Sequence, residues 1–135
     1  MPDTLPLVAI FNTSPDTVEM LRVVLQQAGF VVASIYTFHI RDGLVDLDAF
    51  MRQHAPDVIL YDIAPPYDAN WALFQHLRTH TALAGCHFVI TSPNAGYVQK
   101  LADRNERVYE VIGKPYDLDE IVRATKEALR ARPTR

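Results

Sequence analysis

Hydrophobic positions along the chain fall into short unbroken runs, separated by stretches in which they recur at helical spacing. Leu7-Val8-Ala9-Ile10-Phe11 is one run, Val58-Ile59-Leu60 a second and Phe88-Val89-Ile90 a third. Runs that are apolar at every position, and too short for a free helix, read as parallel strands buried on both faces. Phe30 to Tyr36 and the less regular Val108 to Ile112 complete a set of five. Between the first two runs, Ser14 suits an N-cap, Pro15 the first helical position and Asp16 the positive end of the helix dipole. Val18, Leu21, Leu25 and Ala28 then follow at helical spacing, and Gly29 fits the stop.

The same punctuation repeats down the chain. Thr37 to Gly43 reads as a loop. Leu47, Phe50, Met51 and His54 share a helix face that ends before Ala55-Pro56, because proline disfavours helix at the residue before it. Tyr67 to Asn70 reads as a loop, and Trp71, Phe74, Leu77 and Arg78 start a helix that fades by Thr81. Tyr97, Val98, Leu101 and Ala102 outline a short helix to about Asn105. Asp117 as N-cap, with Glu120 three residues on, opens a last helix whose inward stripe is Leu118, Ile121, Val122, Thr125 and Leu129. Five strands alternating with five helices over short connections predict a doubly wound parallel sheet. The expected organisation is a single domain over 1–135, with its core at about 6–131.

Composition narrows the function classes. The net charge of −3 argues against a nucleic-acid or anionic-membrane binder, and the sparse basic tail of Arg130, Arg132 and Arg135 does not reverse that. One cysteine, Cys86, rules out an internal disulfide and a cysteine-based zinc site; it sits in an apolar run and reads as a buried, inert thiol. The first residues lack the basic and apolar regions of a signal peptide, no run approaches transmembrane length, and a cytoplasmic protein is expected. No glycine-rich loop follows the first strand, which argues against a dinucleotide fold or a P-loop. No activated Ser, Cys or His arrangement is present, so the expectation is not an enzyme. His76 and His80, four apart on a helix, lack an evident third metal ligand.

The candidate chemistry lies where strands give way to polar loops. Asp62 follows the third strand and is closed off by Pro65-Pro66, which cannot continue a central strand. Thr91-Ser92 follows the fourth strand and Lys114-Pro115 the fifth. In a parallel sheet these ends share one edge, the edge at which such sheets bind ligands. A carboxylate nucleophile, with a hydroxyl and an ammonium to stabilise phosphoryl oxygens, could there receive a phosphoryl group. A structural ion pair between Asp62 and Lys114, with Thr91 satisfying strand-end backbone, is the plainer reading of the same residues.

Taken in order, Val8-Ala9-Ile10-Phe11-Asn12-Thr13-Ser14-Pro15-Asp16, Asp62-Ile63-Ala64-Pro65-Pro66, Thr91 and Lys114-Pro115 resemble the receiver domain of bacterial two-component response regulators, over nearly the whole chain. The resemblance implies a flavodoxin-like sheet of order 2-1-3-4-5. It also implies Asp62 as phosphoacceptor, Lys114 and Thr91 as phosphoryl-binding residues, and a Mg²⁺ held in part by Asp62 and the backbone carbonyl of Ala64. Two departures stand out. Asn12 and Thr13 replace the family's acidic pair, leaving a hard cation only one clear carboxylate. Val111 stands at the position of the switch aromatic, with Tyr109 two residues away. The implied partners are a sensor histidine kinase, a phosphotransfer protein or another signalling protein, or a second copy in a homodimer. Two functions follow: an atypical phosphorelay receiver using Asp62, or a phosphate-independent pseudo-receiver acting as a protein–protein docking module.

Overall fold

The computed structural model of the protein describes residues 5–80, 83, 86–102, 108–113 and 117–131. Among them the chain runs β1 (Leu7–Asn12), α1 (Pro15–Gln27), β2 (Val31–Tyr36), α2 (Thr37–Arg41), α3 (Leu47–His54), β3 (Val58–Asp62), α4 (Tyr67–Arg78), β4 (His87–Ser92), α5 (Ala95–Ala102), β5 (Val108–Gly113) and α6 (Leu118–Ala131). All five strands are parallel, in the order β2-β1-β3-β4-β5. Parallel neighbours need crossover connections, and here the helices supply them.

Strand alternation sorts the core into two layers. Ala9, Phe11, Ile59, Tyr61, Phe88 and Ile90 face one side, where Met51 of α3, Trp71, Phe74 and Leu77 of α4 and Val98 of α5 cover them. Val8, Ile10, Val58, Leu60, Val89 and Ile112 face the other, under Val18, Leu21 and Leu25 of α1 and Ile121, Ala124 and Ala128 of α6. This is why the strands read as unbroken apolar runs: neither face meets water.

The helix starts follow the capping chemistry. Ser14 Oγ accepts from Thr17 N at 3.3 Å with Pro15 in the first turn, and Asp117 Oδ1 accepts from Asp119 N and Glu120 N. Gly29, at φ +98°, turns the chain out of α1 in a conformation that a side chain would strain. Two stretches differ from the sequence reading. Thr37–Arg41 is a short helix, not loop, held by Phe38 stacked on Tyr36 and set against His39; one turn is too short for periodicity to reveal. Helix α4 begins at Tyr67, four residues before Trp71. Pro66 takes the N-cap position, and no residue of that first turn is fully buried. The irregularity expected of β5 is a register shift: Phe88 pairs with Val108, but Val89 pairs with Glu110.

Among the described residues Tyr61 is the largest fully buried side chain, and its hydroxyl has no hydrogen-bond partner there. Burial, assisted by the charge of Asp62, pushes the Tyr61 phenol well above its usual range. Tyr61→Phe is therefore expected to raise stability in urea at pH 7 by about 1–3 kcal/mol, by removing an unsatisfied buried group. The phenol of the unfolded chain ionises near about pH 10, whereas the folded one stays protonated to higher pH. Its contribution is thus intact below that pH and lost as pH rises further, at up to about 1.4 kcal/mol per pH unit, and Tyr61→Phe should flatten this alkaline slope. A Tyr61→Phe protein less stable than its parent at pH 7 would mean that the hydroxyl is satisfied.

Candidate functional site

The strand order reverses between β1 and β3, since the chain steps from β1 to β2 on one side and returns to β3 on the other. The crevice at the carboxyl ends of these two strands is where doubly wound sheets place ligands. Phe11 is in register with Tyr61, so the next residues, Asn12 and Asp62, end their strands side by side. Asp62 is in register with Thr91, and Ser92 with Gly113, the residue immediately before Lys114. The sheet thereby gathers Asn12, Asp62 and Thr91 on one edge; for Asp62 and Thr91 their positions after apolar runs predict this. Lys114 and Pro115 lie outside the described residues. Val111 is paired with Ile90, and for it and Tyr109 the backbone alone is described.

Asp62 is only 3% exposed. Thr91 Oγ1 donates to Asp62 Oδ1 at 2.6 Å, and Ile63 N donates to the Thr91 carbonyl at 2.8 Å. A charge-assisted hydroxyl bond of this kind contributes about 1.5–3 kcal/mol and fixes the carboxylate's rotamer. Thr91 is thus the hydroxyl in direct contact with the candidate acceptor, while Ser92 Oγ turns the other way and accepts from Asn94 N at 3.1 Å.

Two further oxygens at this edge are held by the protein's own donors. Asn12 is buried, and its Oδ1 accepts from Thr13 N at 2.7 Å and Ser14 N at 3.0 Å, bracing the turn into α1. Thr13 is exposed. The Ala64 carbonyl accepts from Asn70 Nδ2 at 2.6 Å. Asn70 falls in the stretch whose sequence predicts a loop; its role becomes visible only once α4 starts at Tyr67, which puts Asn70 in the first turn beside Ala64.

A hard dication needs several oxygen ligands, carboxylates foremost. Of the oxygens the family resemblance implies, Asn12 Oδ1 and the Ala64 carbonyl already accept N–H donors, and no cluster of three His, Cys, Asp or Glu suited to a metal occurs among the described residues. The described donor set does not fit Mg²⁺. His80 lies beyond the end of α4 and so does not share a helix with His76; its Nδ1 approaches Asp48 Oδ1 of α3 at 3.6 Å.

Beside this edge the β3–α4 and β4–α5 loops form a groove of about 370 Å³ lined by Pro66, Tyr67, Asp68, Asn94 and Tyr97. The Tyr97 hydroxyl donates to Asp68 Oδ1, and this bond to a carboxylate raises the Tyr97 phenol above its ordinary value.

No protein-family profile and no curated protein sequence matches the chain. Solved structures do. The chain is similar to a sensor protein from Polaromonas sp. JS666, at a TM-score of 0.76 and 18% identity over 95% of this chain and 98% of that one. A response regulator from Thermotoga maritima superposes with a TM-score of 0.71 at 17% identity, over 95% of this chain and all of the other (100%). A CheY-like response regulator receiver domain from Methylobacillus flagellatus gives 0.70 at 20% identity, over 93% and 99%. Likeness at such identities speaks for the fold.

Proposed function

From a chain that has the flavodoxin-like receiver fold of response regulators, we propose a pseudo-receiver: a docking module of cytoplasmic two-component signalling that acts by protein–protein contact and catalyses no reaction. One observation carries this reading. Asn70 Nδ2 holds the Ala64 carbonyl at 2.6 Å, where the family resemblance would have that carbonyl facing a cation. With Asn12 Oδ1 also turned onto its own loop, two oxygens at the edge beside Asp62 are held by protein N–H donors. Such an edge holds one shape without metal or phosphate, which suits a module that presents a constant surface to a kinase, a phosphotransfer protein, another signalling protein or a second copy of itself. No described helix is long and apolar enough to cross a membrane.

The second reading, in which Asp62 accepts a phosphoryl group from a histidine kinase or phosphotransfer protein, draws support from the Thr91 hydroxyl at 2.6 Å from its carboxylate. In that case Lys114 binds the phosphoryl group and Thr91 follows it. Intact mass after incubation with acetyl phosphate, with and without Mg²⁺ and beside Asp62→Asn, separates the two. The expected result is a single unmodified mass in every sample. A Mg²⁺-dependent phosphoryl adduct that is missing in Asp62→Asn would replace the pseudo-receiver with a working phosphoacceptor.

A further inference from the structure

We propose that the groove between Tyr67, Asp68 and Tyr97 is a docking site for an arginine side chain presented by a partner protein. The large aromatics of the core are buried, yet Tyr97 is 39% exposed at the start of α5. Its ring lies 6.0 Å from that of Tyr67, at an interplanar angle of 55°, so the two tyrosines form an open angle of π-faces. The Tyr97 hydroxyl donates to Asp68 Oδ1 and fixes the carboxylate against them. An ionised carboxylate has about four acceptor positions, so this bond leaves most of them for an incoming donor. Asn94 Oδ1 accepts from Tyr97 N at 3.3 Å, which adds a further acceptor on the rim.

The groove therefore offers ring faces and oxygen acceptors, and the described residues lining it include no Lys, Arg or His. Its volume lies within the range of about 300–1,000 Å³ usual for ligand clefts. The full charge of Asp68 sits in the first turn of α4 and offsets the partial positive charge of that helix end, so an anion is repelled there. A cation is the complementary ligand, and the chain's net charge of −3 favours its approach. Guanidinium fits better than ammonium: it is planar, weakly hydrated, stacks on aromatic faces and donates in its own plane to a carboxylate.

The proposal goes beyond the pseudo-receiver reading and does not depend on it. Its test is a titration of the ¹⁵N-labelled full chain, followed by amide chemical shifts, with N-acetyl-arginine amide. N-acetyl-citrulline amide, a neutral isostere, and choline serve as the competing probes. Saturable shifts confined to Tyr67, Asp68, Asn94 and Tyr97 are expected with the arginine probe. Citrulline should bind at least tenfold more weakly, and so should arginine to Asp68→Asn, whose exposed side chain can be replaced without disturbing the fold. Tyr97→Leu should weaken arginine binding while Asp68 is retained. Asp62→Asn should leave the titration unchanged, which keeps this result separate from whether Asp62 is phosphorylated. Equal binding of arginine and citrulline, tighter binding of choline, or no saturable shift at these residues overturns the proposal.

Discussion

Asn12→Asp, Thr13→Asp and Asn70→Ala, combined in one protein, are expected to raise Mg²⁺ affinity at least about tenfold over the parent chain, the scale on which single ligand-shell changes act at metal sites. The reasoning follows the donors one by one. Asn70→Ala removes the amide that now sits 2.6 Å from the Ala64 carbonyl and returns that oxygen to the edge. Asn12→Asp keeps an acceptor for Thr13 N and Ser14 N, so the turn into α1 survives while the second oxygen becomes charged. Thr13→Asp adds a carboxylate at an exposed position next to it.

Without metal, the same variant brings like charges towards Asp62. Two such charges about 4 Å apart repel by about 4 kcal/mol at an effective dielectric of 20, so its melting temperature should fall. Adding Mg²⁺ should restore it, because a ligand at a hundredfold excess over its dissociation constant stabilises by about 2.7 kcal/mol. Calorimetric titration and thermal melts in chelator and in Mg²⁺ check both halves. A parent chain that itself melts higher in Mg²⁺ would overturn the expectation that Asn12, Thr13 and Asn70 disfavour the ion.

The largest loss of stability is expected from Phe74→Ala, at about 3–5 kcal/mol. Phe74 is fully buried at the centre of the aromatic layer. Its ring centroid lies 4.8 Å from Tyr61, 5.1 Å from Trp71 and 5.0 Å from Phe88. Truncation removes contacts to β3, α4 and β4 together, and rigid strands on one side leave little room for collapse. Since a domain of this size has only about 5–15 kcal/mol in total, Phe74→Ala should lose a large part of its cooperative unfolding transition in urea. Leu44, 71% exposed, is the matched control, and Leu44→Ala should change stability by less than about 0.5 kcal/mol. A Phe74→Ala protein within 1 kcal/mol of its parent, a threshold of about one typical mutation, would mean that α4 is not seated on the sheet as described.

Much of this architecture was legible in the chain itself. Strands buried on both faces have no polar side to interrupt them, so Val8–Phe11, Val58–Leu60 and Phe88–Ile90 announce a parallel sheet without any tertiary information. The caps at Ser14 and Asp117 are local chemistry, settled within one turn of backbone, and they form as the sequence implies. The edge residues Asp62 and Thr91 could be placed because each follows an apolar run and the topology sends every strand end to the same side. What periodicity could not reveal were elements shorter than its own wavelength. Helix α2 is a single aromatic-braced turn, and the first turn of α4 is too polar to show a stripe.

The chain by itself therefore determined the layers and the edge on which Asp62 and Thr91 meet, because these depend on hydrophobic pattern and on parallel strands that all end on one side; the order 2-1-3-4-5 and the place of Asn12 beside Asp62 were implied only by the family resemblance, and the strand pairing shows both. Tertiary structure alone decided what that edge is occupied with. Whether the Ala64 carbonyl faces a ligand or the Asn70 amide, and whether Tyr97 covers the core or leans on Asp68, turns on side chains 6 and 29 residues apart in sequence. Their distances are set by how α4 and α5 seat against the sheet, and no local pattern in the sequence encodes them.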